Sequence, residues 1–273
     1  MAYDIEAIKK KIQLLGTNGS KKGDGDKSGK AAQAKLTWWK PSIGVNEIRF
    51  LPYDDGAGQP FQEVGYYNSK KLAENRVVAP VQWGLPDPIQ ELVSKLRKNR
   101  QDDATWNLMK QLQVRESYYA PIIVRGQEDK GVQIWEMSQK VLNQVYAKLS
   151  HPDYQDEFLF DPKEGYDFTV TAVDSGREFN GYPVKELTLE VRRKASPLAK
   201  TQKERDDIVA SIPNLHEHFK GYTPNEEKAR NMVINFLAGD EKSEDGKEVT
   251  EPSSDEDNME EATSKINAAF DDL

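Results

Sequence analysis

Apolar positions along this chain come in short bursts of two periods, and most bursts end at a recognisable stop. Alternation marks the strands. Asn46 to Pro52 reads as one, closed by a proline that has no N–H to offer a ladder. Phe61 to Tyr67 and Arg76 to Val81 read as two more. Gln113 to Arg125 and Val132 to Met137 form a pair around the Gly126-to-Gly131 connection. Tyr166 to Val173 and Tyr182 to Val191 alternate across a turn placed at Ser175-Gly176. Helical spacing falls where caps fall. Asp87-Pro88-Ile89-Gln90 opens a helix with Asp at the N-cap and Pro at N1, and Ile89, Leu92, Val93 and Leu96 supply its stripe. Ser138 caps a second, with Val141, Leu142, Val145, Tyr146 and Leu149 on one face. Thr223-Pro224-Asn225-Glu226 reads as a capping box for a third, ending at Gly239.

Several short antiparallel strands with helices between and after them, and no β-α-β repeat, predict a mixed α+β fold. The expectation is a β-barrel core of the oligonucleotide-binding (OB-fold) type, a five-stranded Greek-key barrel with an inserted helical subdomain near 83–112 and flanking helices. A plain α+β sheet satisfies the same periodicity. The pattern fails at both ends. Ile5, Ile8, Ile12 and Leu15 keep helical spacing beside Lys9, Lys10 and Lys11, and then Gly16 to Lys30 holds no apolar residue and reads as a flexible linker. Residues 1–34 are therefore expected to be an arm and 35–239 the core. Residues 240–273 read as an acidic tail, disordered when free. Its tip carries Ile266, Phe270 and Leu273 at i, i+4, i+7 with Asp271 and Asp272, the form of a short helix or hook for a partner's groove.

Charge follows the same division. The net −8 of the 273 residues resolves into 9 Lys against 4 Asp/Glu in residues 1–40 and 3 Lys against 13 Asp/Glu in 240–273, leaving the body at −3. The chain is a dipole with a basic head and an acidic tail. With no cysteine, disulfides, iron–sulfur clusters, thiol nucleophiles and thiolate zinc sites are excluded. A start of Met1-Ala2-Tyr3-Asp4-Ile5-Glu6 without a secretory pattern, and no apolar run of membrane-spanning length, predict a soluble intracellular protein with no membrane partner.

Enzyme chemistry finds no foothold. Gly29-Lys30 suggests a phosphate loop, but Asp24, Ala31 and the lack of a preceding strand break the pattern. His216-x-His218 is too weak a spacing for a metal site and reads as loop, His151 as a helix-end cation, and Asp102-Asp103 and Asp206-Asp207 as helix-surface charge. No catalysis, no metal and no cofactor is expected. What remains is aromatic rings interleaved with cations, the composition of a surface that stacks bases and tracks phosphates. Arg115-Glu116-Ser117-Tyr118-Tyr119 is such a stretch. By strand parity Tyr119 shares a face with Arg115 and Arg125, while Tyr118 turns towards Val114, Ile122 and Val124. Trp135 adds a ring, Phe179-Asn180-Gly181-Tyr182 adds two at a turn, and Arg192-Arg193-Lys194 ends the next strand. Lys70, Lys71 and Arg76 supply further phosphate partners.

In order, these features resemble the single-stranded DNA-binding protein family of T-even-type phages, the helix-destabilising proteins of their replisomes. Ile48-Arg49-Phe50-Leu51-Pro52 is similar to its first-strand motif, and Arg115 with Ser117-Tyr118-Tyr119 to its basic-Ser-Tyr-aromatic strand. Trp135 falls where the family has a DNA-facing tyrosine, and Ser175-Gly176 with Phe179-x-x-Tyr182 resembles its Ser-Gly-Phe-x-x-Tyr turn. The tail ending Phe270-Asp271-Asp272-Leu273 is similar in character to the family's acidic end. The resemblance implies cooperative, sequence-tolerant coating of single-stranded DNA in phage replication, recombination and repair, in the cytoplasm of an infected host cell. It implies Arg49 beside the residues above as the DNA-binding set, Lys9, Lys10 and Lys11 as the docking arm between protomers, and the tail as the recruiter of replication and recombination proteins. Two departures stand out. The family's zinc-stabilised subdomain carries a Cys-Pro-x-Cys element where this chain has Asp87-Pro88-Ile89-Gln90, so capping and apolar packing must do the work of a metal. The family's mixed basic and hydroxyl arm motif is reduced to three lysines. An RNA-binding translational regulator and a non-catalytic protein-interaction scaffold are the alternative readings.

Overall fold

The computed structural model describes residues 36–56, 59–98, 103–151, 154, 159–179 and 182–241. The arm lysines, the linker and the tail tip lie outside them. The described chain divides into two compact units, one of residues 36–64 and 116–221, the other of 65–115 and 222–241. It passes from one to the other within two of its strands.

The first unit is built on a sheet with the order β1 (Trp38–Trp39), β6 (Gln133–Met137), β5 (Val114–Val124), β2 (Gly44–Phe50), β7 (Tyr166–Phe179) and β8 (Tyr182–Ala195). β1 runs parallel to β6, and the other neighbours are antiparallel. Period-2 patterning decides which face is buried. Ile48 and Phe50, Phe168, Val170 and Ala172, and Leu189 point inwards, where helix α3 (Gln139–Leu149) adds Val141, Leu142, Val145 and Tyr146. Phe50 sits at the centre, with ring centroids 4.9 Å from Phe168, 5.1 Å from Phe160 and 5.7 Å from Phe61.

The pairings among described strands do not close this sheet into the expected barrel, because β1 and β8 end the path. The reason at β8 is visible. The Gln144 amide of α3 donates to the Leu187 carbonyl and accepts from the Leu189 N–H, both at 3.0 Å. A side chain thus satisfies edge groups that a further strand would otherwise take. The β7–β8 hairpin also differs from its expectation. Ser175-Gly176 is no turn, since β7 continues to Phe179, which pairs with Tyr182. Instead the register shifts between Asp174 and Glu178, so Ser175, Gly176 and Arg177 bulge opposite Val184. The Asp174 carboxylate accepts the Gly176 N–H at 2.9 Å, and Gly176 takes φ 67°, a conformation that resists any Cβ.

The second unit packs α1 (Pro88–Lys98), α2 (Asp103–Gln111) and α6 (Glu226–Glu241) with a short pair of strands, β3 (Gln62–Tyr67) and β4 (Val77–Val78), joined at Tyr66 with Val78 and Tyr67 with Val77. Ile89, Leu92 and Val93 of α1 meet Met109, Leu112, Val233 and Phe236 in its core. Asp87 organises it. One carboxylate oxygen accepts the Ile89 and Gln90 N–H groups at 3.2 Å as the expected N-cap, and the other accepts Tyr67 Oη at 2.8 Å and the Val81 N–H at 3.1 Å. A single buried carboxylate therefore ties strand, 3-10 turn and helix together. The start of α6 corrects the predicted box: Asn225 accepts the Lys228 N–H at 2.9 Å, while Thr223 accepts Trp83 Nε1 at 2.8 Å, and the helix runs to Glu241.

Candidate nucleic-acid interface

Where each predicted contact residue lies depends on what packs beneath it. In the second unit, the turn after β3 is anchored by buried Leu72, whose N–H bonds the Ser69 carbonyl, and this leaves Lys70 and Lys71 outside. Buried Leu112 ends α2 in the same way and leaves Lys110 and Gln111 exposed; Arg115 follows at the start of β5. These three segments meet around one depression of about 400 Å³, lined by Asn68, Ser69, Lys70, Lys71, Lys110, Gln111 and Arg115. Its lining holds four cations and no carboxylate. Among the described residues, Lys70, Lys110 and Arg115 have no ion-pair partner. Mutually repelling cations held together in this way favour a polyanion. Rings lie close by: Lys110 Nζ is 5.0 Å from the Trp106 centroid, and the Arg76 guanidinium is 4.4 Å from that of Tyr66.

The first unit treats its candidates differently. Arg49 is 1% exposed, so it faces no solvent. Its Nε donates to Asp167 Oδ1 at 2.9 Å, and its other nitrogens reach the Asp161 carbonyl and Ser196. Arg125 donates to the same Asp167 oxygen from Nε and Nη2, and to the Leu198 and Pro197 carbonyls. These bonds to Arg125 and Ser196, with the charge of Arg49, hold the Asp167 carboxyl below its ordinary range against the opposing cost of its burial. Burial is in turn the main cause lowering Arg49 from its own.

The expected exposed rings are also absent at three positions. Tyr118, Tyr119 and Trp135 are 1%, 0% and 2% exposed. Tyr118 packs into the main core and donates to Glu116 at 2.7 Å, its phenol pushed up by burial. Trp135 stands edge-on to Trp39 at 5.1 Å. Tyr119 lies under Trp38 and Phe219, at 5.8 and 4.4 Å. An amphipathic strand buries aromatics on whichever face is covered, and here α5 (Leu215–Lys220), the helix after α4 (Gln202–Ala210), supplies Phe219 to cover Tyr119. Arg192 and Arg193 stay exposed at the end of β8, with Arg192 paired to Glu47. Phe179 and Tyr182 pair through their backbones at the hairpin end, and their side chains lie outside the described residues. Reasoning from sequence missed Lys110 and Trp38. The i, i+4 spacing of Trp106 and Lys110 on one helix was a usable signal for the first.

A family model described as gp32 DNA binding protein like matches residues 42–233, well over half of the chain. The chain belongs to the gp32-like DNA-binding protein family. The resemblance to the phage single-stranded DNA-binding proteins is thereby borne out for this gp32-like chain at the level of the family, which is a binding family and not a catalytic one. No curated protein matches it. The family's zinc does not fit these residues. The chain has no cysteine, and both oxygens of Asp87 are already engaged by Tyr67, Val81, Ile89 and Gln90. His216 and His218, which the sequence reads as loop, lie instead on α5, and burial lowers the His218 imidazole from its ordinary value. Among the described residues, no group of three or more His, Asp or Glu is placed to hold a metal, and no helix is long and apolar enough to cross a membrane.

Proposed function

We propose that this protein binds single-stranded DNA without sequence preference, with phosphates held in the second unit at Lys70, Lys71, Lys110 and Arg115, with Arg76 as a further contact there and Arg192 and Arg193 as separate contacts of the first unit. The convergence of four cations on one carboxylate-free depression carries this reading, in a chain whose family binds DNA. Each phosphate neutralised releases condensed counterions, so affinity is steeply salt-dependent. Of the rings the sequence singles out, Phe179 and Tyr182 remain the candidates for base stacking. The core sheet is read as an opened OB-type arrangement, supported by β2 lying between the β5–β6 and β7–β8 pairs.

The rest of the reading concerns the two ends. The tail, at a net −10, competes with DNA for the cationic depression as a tethered polyanion. Once displaced, its tip at Ile266, Phe270 and Leu273 docks on replication and recombination proteins. Lys9, Lys10 and Lys11 join neighbouring protomers along the strand, in the cytoplasm of a phage-infected cell. A titration of fluorescein-labelled single-stranded and duplex DNA across a salt series tests the core of this. Preference for the single strand, with a log–log slope near −3 for four contacts, is expected. Equal, salt-insensitive binding to both, or tighter binding to RNA of the same length, would overturn it.

A further inference from the structure

Burial of Tyr118, Tyr119 and Trp135 moves the question of base stacking to whichever ring the first unit leaves in solvent. Among the described side chains of the first unit, the large ring that stands exposed is Trp38, 48% accessible on edge strand β1. An exposed tryptophan on a short edge strand is ordinarily mobile, but two buried rings hold this one. Tyr119 meets it edge to face at 5.8 Å and 69°, and Phe219 at 6.5 Å and 52°. β1 itself is pinned because Trp38 pairs with Ile134, and the Ile134 N–H bonds the Thr37 carbonyl at 2.7 Å. Trp39, the next residue, points the opposite way into the core at 7% exposure, and Lys40 follows directly at the end of the strand. Lys40 is exposed as well. Leaving half an indole in water costs free energy, and supporting it on two aromatics spends core rings on holding it still. A platform with an exposed cation two residues on in the chain matches one nucleotide: a base for the ring, a phosphate for the ammonium.

We infer that Trp38 and Lys40 form a base-stacking subsite for an unpaired nucleotide, with Tyr119 and Phe219 as positioning residues beneath the indole. The inference rests on the single-strand reading above and adds to it a contact made by the first unit. It also gives Tyr119 a part in binding without exposure, because it sets the ring that stacks. Stacking is indifferent to base identity, as sequence-tolerant binding requires.

The test measures affinities of the full chain for a dT oligonucleotide and for an abasic strand of the same length and charge. Trp38→Leu is expected to weaken dT binding by roughly 5- to 150-fold, the range of one lost stack, and to leave abasic binding unchanged. Trp38→Phe should retain most of the dT affinity. Lys40→Gln should weaken both strands equally, by a few fold, and lower the salt slope by about 0.7. Unaltered dT affinity in Trp38→Leu overturns the subsite, and so does an equal loss on both strands. Iodide quenching of the unaltered protein is a check independent of folding. The quenchable fluorescence that Trp38→Phe removes should become protected on adding dT, and persistent quenching at saturation overturns the inference. A wild-type protein with no salt-dependent affinity for dT would instead refute the parent reading.

Discussion

Two arginine sites, one in each unit, have opposite fates. In the first, Arg49 and Arg125 are drawn into the fold around Asp167, and their guanidinium forks fasten the chain at 196–198. In the second, Arg115 stands at the rim of a depression with three lysines and no carboxylate. The two kinds of site differ in what they ask of an anion. The buried pair has its anion built in, so removing either partner strands a charge in a dry place. The open cluster keeps its charge at an exposed surface whose lining supplies no anion of its own. Cationic character in a sequence therefore says nothing of binding until the carboxylates nearby are counted.

Substitutions sharpen this contrast. The largest effect is expected from Asp167→Ala, which leaves two guanidiniums without their carboxylate and should cost about 3–5 kcal/mol in urea denaturation. Next, replacing Lys70, Lys71, Lys110 and Arg115 together by Gln should cost little stability and lower single-strand affinity about 100-fold or more at 0.1 M salt. If instead the quadruple variant unfolds and Asp167→Ala does not, the contrast between the units is wrong. Asp87→Ala should cost about 2–4 kcal/mol, combining a lost N-cap with buried Tyr67 and Val81 donors left unmet. Its hydrogen exchange should rise at α1 before it rises in β7.

Acid provides a milder probe of the same buried pair. The folded Asp167 carboxyl is held below its ordinary value, so its contribution to stability is present above the unfolded value of about 3.9 and is lost as pH falls through the folded one. Stability should fall below about pH 4 in the wild type and fall less steeply in Asp167→Asn. At the alkaline end, Tyr53 is pushed up to about 12, chiefly by burial. Its folded form resists ionisation, so its contribution should disappear between about pH 10 and 12, as followed by tyrosinate absorbance. The smallest effect is expected at Arg177→Ala. Its pair with Glu186 is exposed on both sides and contributes well under 1 kcal/mol.

Much of this was legible in advance where local chemistry decides. Asp87 and Ser138 cap the helices their neighbours predict, and the strands from Asn46, Gln113 and Val132 lie within a residue or two of expectation, whereas the strand from Tyr166 starts as expected and runs six residues further, to Phe179. The bulge at Ser175-Gly176 was read as a turn because a glycine with positive φ serves either purpose, and only the pairing of Phe179 with Tyr182 separates them. Thr223 offered a good capping box, but Trp83 claims its hydroxyl and Asn225 caps instead. The site was less legible. Parity correctly separated Tyr118 from Tyr119, yet it cannot reveal that Phe219, a hundred residues on, covers the second ring. Nor does it reveal that Trp38 stands outside while Trp39 does not. Both facts are tertiary, set by α5 and by the side of β1 that meets the core.

Mass-spectrometric footprinting of lysine acetylation, with and without saturating dT oligonucleotide, tests the central claim most directly. Lys70, Lys71 and Lys110 should lose reactivity together on binding, while exposed Lys163 and Lys200 should keep theirs. Undiminished acetylation at all three depression lysines in the saturated complex would contradict the account.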